Sequence, residues 1–347
     1  MIQIASPAIA SYSGFIYKLL SGFVGKPLLW PLSFVISFLI FIIILSIIFM
    51  AFSYIFSWVE RKIIGRAQSR HGPTYVGPFG LLQNLADLVK LITKENIMPD
   101  NADKRLYPMI LPALVALFVL ILVFLPFTNA FVGIDTTIGL LAVFVLLSFS
   151  PLLMFLAGWT SGNKFGSISA QRSIVIMVSY EVPMFLVFAA AAMLSGSLNI
   201  STIVNSQANL WYIIAMPIGF VVFFIVMLAE LERPPFDLKE ADNELIAGWL
   251  TDASPPYYAL ALMLDYTRMF VGALLISLIF LGGWLGPSII PAFAWLMIKV
   301  VLLTMFIVIV RATSVRMRLD RVLRLGWVYL MPAAMLNLLI TFIVFVK

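Results

Sequence analysis

The chain has 347 residues and a net charge of +6; 63% of its residues are hydrophobic and 11% are charged, whereas about a quarter are charged in an ordinary soluble domain. This composition excludes an ordinary soluble enzyme and indicates a polytopic membrane protein, which we expect to be all-α. The sequence has no cysteine and one histidine, His71, so it offers no disulfide, no thiolate for zinc or an iron–sulfur cluster, and almost no imidazole for a haem. We therefore expect no metal site and no covalently bound cofactor; if the protein takes part in redox chemistry, its electron carriers lie in other chains.

Residues 1–32 are a weaker apolar stretch interrupted by Gly25 and Pro27. They lack the basic start and the small-residue cleavage site of a signal peptide, so we predict an interfacial arm followed by a single transmembrane domain, 33–347. A spanning helix needs about 20 mostly apolar residues. Eight segments meet this requirement: 33–58, 107–127, 138–158, 173–194, 211–231, 257–281, 289–310 and 327–346. Eight crossings place both termini on one side of the membrane.

The polar segment after the first span contains a further helix. Residues 78–94 place apolar side chains at helical spacing with polar side chains between them. Three charges in this segment make it a poor spanning helix and a good interfacial amphipathic helix. The preceding stretch, WVERKIIGRAQSRHGPTYVG, is punctuated by glycine and proline, which predicts a loop of defined shape with His71 as a surface residue.

The cations are sorted between the two faces of the predicted bundle. Seventeen Lys and Arg residues lie in the four polar loops 59–106, 159–172, 232–256 and 311–326. The opposite face has only Lys18, Lys26 and Lys347. Because Lys and Arg favour cytoplasmic loops, the pattern predicts a plasma-membrane protein whose main polar loops are cytoplasmic and whose termini both lie outside.

Four ionisable side chains remain well inside the predicted spans: Glu181, Asp265, Arg268 and Lys299. A charged group at mid-bilayer costs about 2.5–3.5 kcal/mol on the insertion scale, so each is a functional-site hypothesis. Glu181 has no basic residue within four positions, and Pro183 loosens its helix, which favours a proton-carrying role. Asp265 and Arg268 are three positions apart, so a structural ion pair is an equal alternative for them. Lys299 is equally compatible with packing and with a proton relay.

The fifth span leads into an acidic segment, 230–252, with the sequence ELERPPFDLKEADNELIAGWLTD. Six acids follow Glu230 there, against two cations, Arg233 and Lys239. Acid runs are usually solvated faces. This run begins at the end of a spanning helix, contains a rigid PPF turn and lies in an otherwise basic surface. We therefore favour a funnel that collects protons or a face docked on a positively charged partner.

Four motifs, in this order and spacing, identify a resemblance: ERKIIGRAQSRHGPTYVGPFGLLQNLADLVKLITKE, SYEVPM, ERPPFDLKEADNELIAGW and RMRLDRVLRLGW. They resemble the quinone-site membrane subunit of respiratory complex I, the NADH dehydrogenase subunit 1 family, and related archaeal deazaflavin-linked dehydrogenases. The resemblance implies an eight-helix subunit of a proton-translocating oxidoreductase without a redox centre of its own. It implies a quinone or phenazine as substrate, and as partners lipids, the peripheral-arm subunits with the terminal iron–sulfur cluster, and small and antiporter-like membrane subunits. No nucleic acid is expected.

The resemblance also assigns side chains to roles. The positions of a quinone tunnel and its mouth match Glu60, Arg61, Arg70, Asp87 and Arg311. The positions of an acidic proton pathway, and of the loop that feeds it, match Glu181, Glu230, Asp237, Glu240, Asp242 and Asp265. Through these acids the family couples electron transfer to ion pumping.

The chain departs from the family pattern at several positions. Ile176 replaces a glutamine, Asp252 shortens an acid, Asp265 stands for the usual glutamate, and Arg268 adds a charge. These changes keep the acids of the predicted proton pathway, but the type of quinone is not determined by the sequence. The alternatives are a standalone proton-coupled secondary transporter, which would be expected to show paired broken helices from two sequence halves, and a purely structural anchor for the peripheral arm.

Overall fold

The computed structural model of the chain describes residues 26–129, 131–240, 242–287 and 289–345, and every regular element in these ranges is a helix. The all-α prediction is therefore confirmed. In chain order the α-helices are α1 (Lys26–Ala67), α2 (Gln83–Thr93), α3 (Tyr107–Phe124), α4 (Gly139–Thr160), α5 (Lys164–Ser195), α6 (Ile200–Ser206), α7 (Tyr212–Ala215), α8 (Pro217–Glu230), α9 (Asp242–Leu245), α10 (Pro255–Phe280), α11 (Ala292–Thr313), α12 (Leu319–Arg324) and α13 (Met331–Phe345). Short 3₁₀ turns lie at Pro78–Gly80 and Gly248–Leu250, and a π-helical segment, Leu325–Leu330, joins α12 to α13.

The described helices confirm a polytopic membrane protein. Six of them are long and apolar enough to cross a membrane: α3, α4, α5, α10, α11 and the continuous stretch Leu319–Phe345. The predicted first span lies inside α1, which has 42 residues. The predicted span 211–231 differs, because Met216 leaves the helical region (φ −137°, ψ 69°) just before Pro217 and divides the span into α7 and α8. α8 has only 14 residues, about 21 Å at 1.5 Å per residue.

Several predicted boundaries lie inside helices. Residues 1–25 of the predicted interfacial arm lie outside the described residues, and residues 26–32 form the first turns of α1. α1 also continues past the predicted end of its span to Ala67, so the predicted loop 59–106 begins as helix. α5 likewise begins inside the predicted loop 159–172, because the Asn163 side chain accepts a hydrogen bond from the Phe165 N–H at 3.1 Å and caps the helix there.

α10 is the central helix of the described fold. It packs against α1, α2, α3 and α11, and every residue from Thr267 to Phe280 is buried. Helices α4 and α5 form a tight pair beside it, because a Cβ on Gly158 would lie only 2.5 Å from the Gly166 carbonyl oxygen. A charged side chain on the buried part of α10, such as Arg268, must therefore find its partners inside the protein.

The predicted amphipathic segment forms α2. Leu85, Val89 and Ile92 are exposed, whereas Asn84 is buried and its side-chain amide donates a hydrogen bond to the Tyr54 carbonyl oxygen at 2.9 Å. α2 is thus fixed to α1 on one side and presents apolar side chains on the other. Such a face suits the boundary between lipid headgroups and acyl chains.

Candidate functional site

Glu60 lies on the inner side of α1 between two arginines. Its Oε1 accepts a hydrogen bond from Arg233 Nη1 at 2.5 Å and a second, very short one from Arg311 Nη1. The Glu60 side chain is 2% exposed, and an unpaired carboxylate buried in this way would cost several kcal/mol. Burial acts against the charge of Arg233, but the Glu60 carboxylate outweighs it and raises the pKa of Arg233. Glu60 thereby joins α1 to the acidic loop after α8 and to the end of α11.

Arg61, the next residue of α1, pairs with α2 instead. Arg61 Nη1 lies 2.6 Å from Asp87 Oδ2, and Gln83 Nε2 donates to Asp87 Oδ1 at 3.0 Å. Partial burial by itself would raise the pKa of Asp87, but these bonds lower it below its usual value. An open cavity of about 800 Å³ lies beside this pair, and its lining includes Arg61, Arg70, His71, Tyr75 and Gln83.

The five residues predicted to bind quinone therefore fall into two groups. Arg61 and Arg70 line the open cavity and Asp87 binds Arg61, whereas Glu60 is buried and pairs with the partly exposed Arg311. The two groups meet at consecutive residues of α1. A change of charge in the cavity is thus one residue away from a buried ion-pair network.

Glu232 joins the acidic loop to Arg268 of α10, and Arg268 in turn contacts α4. Arg268 donates to both of its carboxylate oxygens, from Nη1 at 2.9 Å and from Nη2 at 3.3 Å, and also donates to Ser150 Oγ at 2.8 Å. Lys239 is a second ionic partner of Glu232. Among the described residues no ion pair joins Arg268 to Asp265, so the pair that their spacing allows within one helix is replaced by a bidentate pair to the loop.

Glu230, the last residue of α8, is buried and hydrogen-bonded to α5. Its Oε2 accepts from the Tyr180 hydroxyl at 2.5 Å. Glu181 follows Tyr180 on α5 and is half-buried; within the described part of the chain its carboxylate has no hydrogen bond or ion pair. The two acids therefore lie on neighbouring helices, one held by a hydroxyl and one without a direct partner.

Three of the remaining predicted acids line a cavity of about 30 Å³, which is large enough for one water molecule. Asp237, Glu240 and Asp265 line it together with the cations Arg233, Lys239 and Arg311. Burial, followed by the negative charges of Asp265 and Asp237, raises the pKa of Glu240 to about 8. The side chain of Asp242, the first residue of α9, lies outside the described residues. The acids of one short loop and of α10 thus share a single small polar space.

Lys299 caps a helix end. Its ammonium donates to the carbonyl oxygens of Leu281, Gly283 and Leu285 at 2.6, 2.8 and 2.8 Å, just past the end of α10, and lies 4.8 Å from the centre of the Trp211 ring. A lysine has three donors, and these carbonyls use all of them. Of the two roles that the sequence allows for Lys299, this geometry supports packing.

Comparison with known proteins identifies the family of this fold and site. A family model described as NADH dehydrogenase matches residues 39–342. The chain belongs to the NADH dehydrogenase family. The H subunit of NADH-quinone oxidoreductase from Dehalococcoides mccartyi strain CBDB1 is 41% identical to it over 289 residues, which are 83% of this chain and 81% of that protein. The H subunits of the same name from Brevibacillus brevis and Carboxydothermus hydrogenoformans are 40% and 36% identical, over 83% and 82% of this chain and 87% and 82% of theirs.

The matched region of this NADH dehydrogenase family member contains every residue of the two cavities and of the acidic loop. The resemblance inferred from the four sequence motifs is therefore confirmed at the level of the family. The roles assigned to single residues stay predictions.

Several residues of the buried cluster were not predicted as site residues: Glu232, Arg233, Lys239, Tyr180, and Tyr266, whose ring centre lies 5.4 Å from Arg233 Cζ. Tyr180 and Tyr266 each adjoin a predicted acid along the chain, and Glu232 and Arg233 belong to the ERPPF motif. Their positions in the sequence could therefore have marked them as candidates. The sequence could not show which cation pairs with which acid, because such pairs join distant parts of the chain: Arg233 and Glu60 are 173 residues apart.

Proposed function

We propose that the chain is the membrane subunit of a proton-translocating respiratory dehydrogenase of the complex I type. In this proposal it forms, against a peripheral arm, the tunnel for a quinone or phenazine substrate, and it relays protons through buried acids without a redox centre of its own. Its relatives are named subunits of NADH-quinone oxidoreductase, which supports this assignment. The partners are the peripheral-arm subunits with the terminal iron–sulfur cluster, small and antiporter-like membrane subunits, and lipids.

The observation that carries the proposal is the contact between the open cavity and the acid cluster. Arg61 lines the cavity and Glu60, beside it on α1, is bound to Arg233 and Arg311, which line the small polar cavity with Asp265. When a reduced headgroup takes up protons in the open cavity, the charge around Arg61 changes. The arginines on Glu60 convey this change to the acids, which retitrate as a coupled set.

The membrane orientation follows from the same chemistry. The open cavity, the acidic loop and seventeen of the cations lie in segments assigned to one face, so that face is cytoplasmic by the positive-inside rule, with both termini outside. The protein then resides in the plasma membrane, and substrate and protons reach the site from the cytoplasmic side.

Neutral variants of two acids test the proton relay. We expect Glu181→Gln and Asp265→Asn to abolish quinone reduction coupled to proton translocation and to leave reduction of the iron–sulfur clusters intact, because a neutral amide cannot carry the proton. Proton pumping is measured in inverted membrane vesicles by a pH-sensitive dye, with the exposed Asp320→Asn as the control. Unchanged pumping in both variants would refute the relay.

Purification separates this function from the alternative of a standalone secondary transporter. The chain is expected to copurify with iron–sulfur and antiporter-like subunits, and the lipid-soluble compound extracted with the intact complex identifies the quinone or phenazine. Isolation of the chain alone or as a homo-oligomer that transports a solute would favour the transporter. The described fold contains one divided span, at Met216, and not the pair that such transporters show.

A further inference from the structure

Lys239 is a buried lysine for which the relay described above has no role. Its side chain is 3% exposed. Its backbone is fixed on both sides: Ser169 Oγ of α5 donates to the Lys239 carbonyl oxygen at 2.9 Å, and Gly248 approaches so closely that a Cβ there would overlap the same oxygen. The ammonium end is therefore held inside the protein by a rigid backbone and cannot extend to solvent as surface lysines do.

Glu232 and Arg268 determine where the Lys239 side chain ends. Lys239 pairs with Glu232, and Glu232 is itself held by the bidentate contact with Arg268, whose side chain is 1% exposed. Glu232 has a left-handed backbone (φ 54°), which is strained for a residue other than glycine and persists only where surrounding contacts demand it. This arrangement orients one carboxylate toward two cations.

Lys239 also lines the polar cavity of about 30 Å³. The space is large enough for one water molecule, and Glu240 and Asp265 line it as well. The charged and titratable groups around Lys239 are Glu232, Arg233, Asp237 and Glu240 on its own loop, Glu230 from α8, Asp265 and Arg268 from α10, Arg311 from α11, and Tyr180 and Arg172 from α5. A single water thus suffices to connect the lysine to an acid.

Two opposing influences act on the proton of Lys239. Burial, followed by the positive charge of Arg268, lowers the pKa of Lys239 well below its usual value. The carboxylates of Glu230, Asp265 and Glu240 favour the ammonium form when they are ionised. The charge of Lys239 therefore follows the protonation of the acids around it, unlike the charge of an arginine.

We propose that Lys239 is a proton-exchanging base within the acid cluster, and that Arg268, through Glu232, is the residue that positions it. In the exchange, the O–H bond of protonated Asp265 or Glu240 breaks and an N–H bond forms at Lys239 Nζ. One water molecule, for which the shared cavity has room, would accept the proton of the acid and donate one of its own to the lysine. The neutral pair becomes a carboxylate and an ammonium, and the reverse transfer returns the proton. This inference rests on the proposed function, because the proton it moves is the one that the relay carries.

The test compares a permanently charged and a permanently neutral replacement in the intact complex. We expect both Lys239→Arg and Lys239→Met to lower proton translocation by about 100-fold, as for loss of a general acid–base group. The matching changes at exposed Lys104, Lys104→Arg and Lys104→Met, should have no effect. If Lys239→Arg keeps full translocation, Lys239 is a fixed counter-ion; if Lys239→Met keeps it, Lys239 is a spacer. Either result would overturn the proposal.

A second measurement is the infrared titration of carboxyl groups in Lys239→His. It requires no turnover and does not introduce the larger side chain of arginine. Lys239→His supplies an exchangeable base with a solution pKa of about 6.5 in place of about 10.4. We expect this variant to recover part of the translocation. We also expect the infrared band of protonated carboxyl groups in the purified complex to titrate at a higher pH than in the wild type, because a neutral imidazole stabilises a neighbouring carboxylate less than an ammonium does. An unmoved infrared titration overturns the exchange role even if pumping is lost. A wild-type complex that translocates no protons while the titration still moves would instead refute the proposed function.

Discussion

Glu60 and Glu230 are buried carboxylates that the protein accommodates in different ways. Glu60 is bound by two arginines, Arg233 and Arg311, and Glu230 by the hydroxyl of Tyr180. A carboxylate between two guanidinium groups is an anchor, since its charge is compensated permanently. Glu230 forms no ion pair among the described residues, and the positive charges of Arg268 and Lys239 act on it without a direct bond. Burial alone therefore does not distinguish a carboxylate anchored by ion pairs from one without a direct ion pair; the partner does.

Glu240 gives the stability of the protein a predictable dependence on pH. Its pKa is raised to about 8 from a usual 4.5, by burial first and then by the charges of Asp265 and Asp237. Between these values the folded protein holds a proton that the unfolded chain does not, so the stabilisation is complete below pH 4.5 and is lost as pH rises through 8. Glu240→Gln should remove the part of the fall in stability with rising pH that comes from Glu240. Thermal unfolding in detergent between pH 5 and pH 9 measures it.

The control for that experiment is Glu95→Gln, which makes the same chemical change at an exposed position. Its stability profile should coincide with that of the wild type. A Glu240→Gln profile as steep as the wild-type profile would show that Glu240 titrates as an ordinary carboxyl.

The π-helical segment between α12 and α13 shows how one element positions another. Pro183 has no N–H, so the Ser179 carbonyl one turn earlier on α5 has no helical donor. Gly326, in the π-helical segment, packs onto this carbonyl so closely that a Cβ would overlap the Ser179 oxygen. The close contact places the C-terminal helices beside Glu181, at the point where the α5 hydrogen-bond ladder is interrupted.

Gly326→Ala should therefore separate these helices. We expect the added methyl to destabilise the protein by about 1–3 kcal/mol, the usual cost of overpacking, and to lower the yield of assembled complex. Gly139→Ala at the start of α4 is the control, because its nearest neighbour would lie at 3.5 Å, an ordinary contact distance. Equal thermal stability of the two variants would mean that the contact between α5 and the π-helical segment is adjustable.

The predicted orientation of the whole molecule in the membrane depends on how a few charges are distributed between its two faces. The polar loops assigned to the cytoplasm contain seventeen cations, whereas the opposite loops near 128–137, 195–210 and 282–288 contain one charge, Asp135. Asp135 accepts a hydrogen bond from the Asn199 side chain at 2.7 Å, which joins the segments before α4 and α6. An asymmetry of this size orients a bundle without any help from acidic residues.

Because the chain has no cysteine, single introduced thiols can report on this orientation. We expect His71→Cys, in the exposed loop after α1, to react with a membrane-impermeant maleimide only in inverted vesicles. Ile289→Cys, at a position 91% exposed between α10 and α11, should react only in intact cells.

Wild-type protein, which has no thiol, is the blank for this labelling. The reverse pattern at both positions would mean that the bundle is inserted with its polar loops outside. The substrate cavity would then open to the wrong side for the proposed function.

The sequence by itself determined the fold class, most helix positions and several of the buried acids. These properties depend on hydropathy and on residues a few positions apart, which is why α2 and the one acid of α10, Asp265, could be predicted. The break at Met216 was missed because apolar composition continues through it, although Pro217 marks the position. The extension of α1 to Ala67 was missed because charged residues continue a helix as well as apolar ones do.

Only the tertiary structure decided which cation forms an ion pair with which acid. Asp265 and Arg268 are close along one helix, yet Arg268 binds Glu232, 36 residues earlier, because the loop after α8 folds back onto the buried part of α10. Glu60 likewise meets Arg311 across 251 residues. Local spacing fixes which side chains share a helix face, but the rotation and packing of whole helices fix what that face meets. In a protein with few charges, this packing decides which buried acids form ion pairs and which do not.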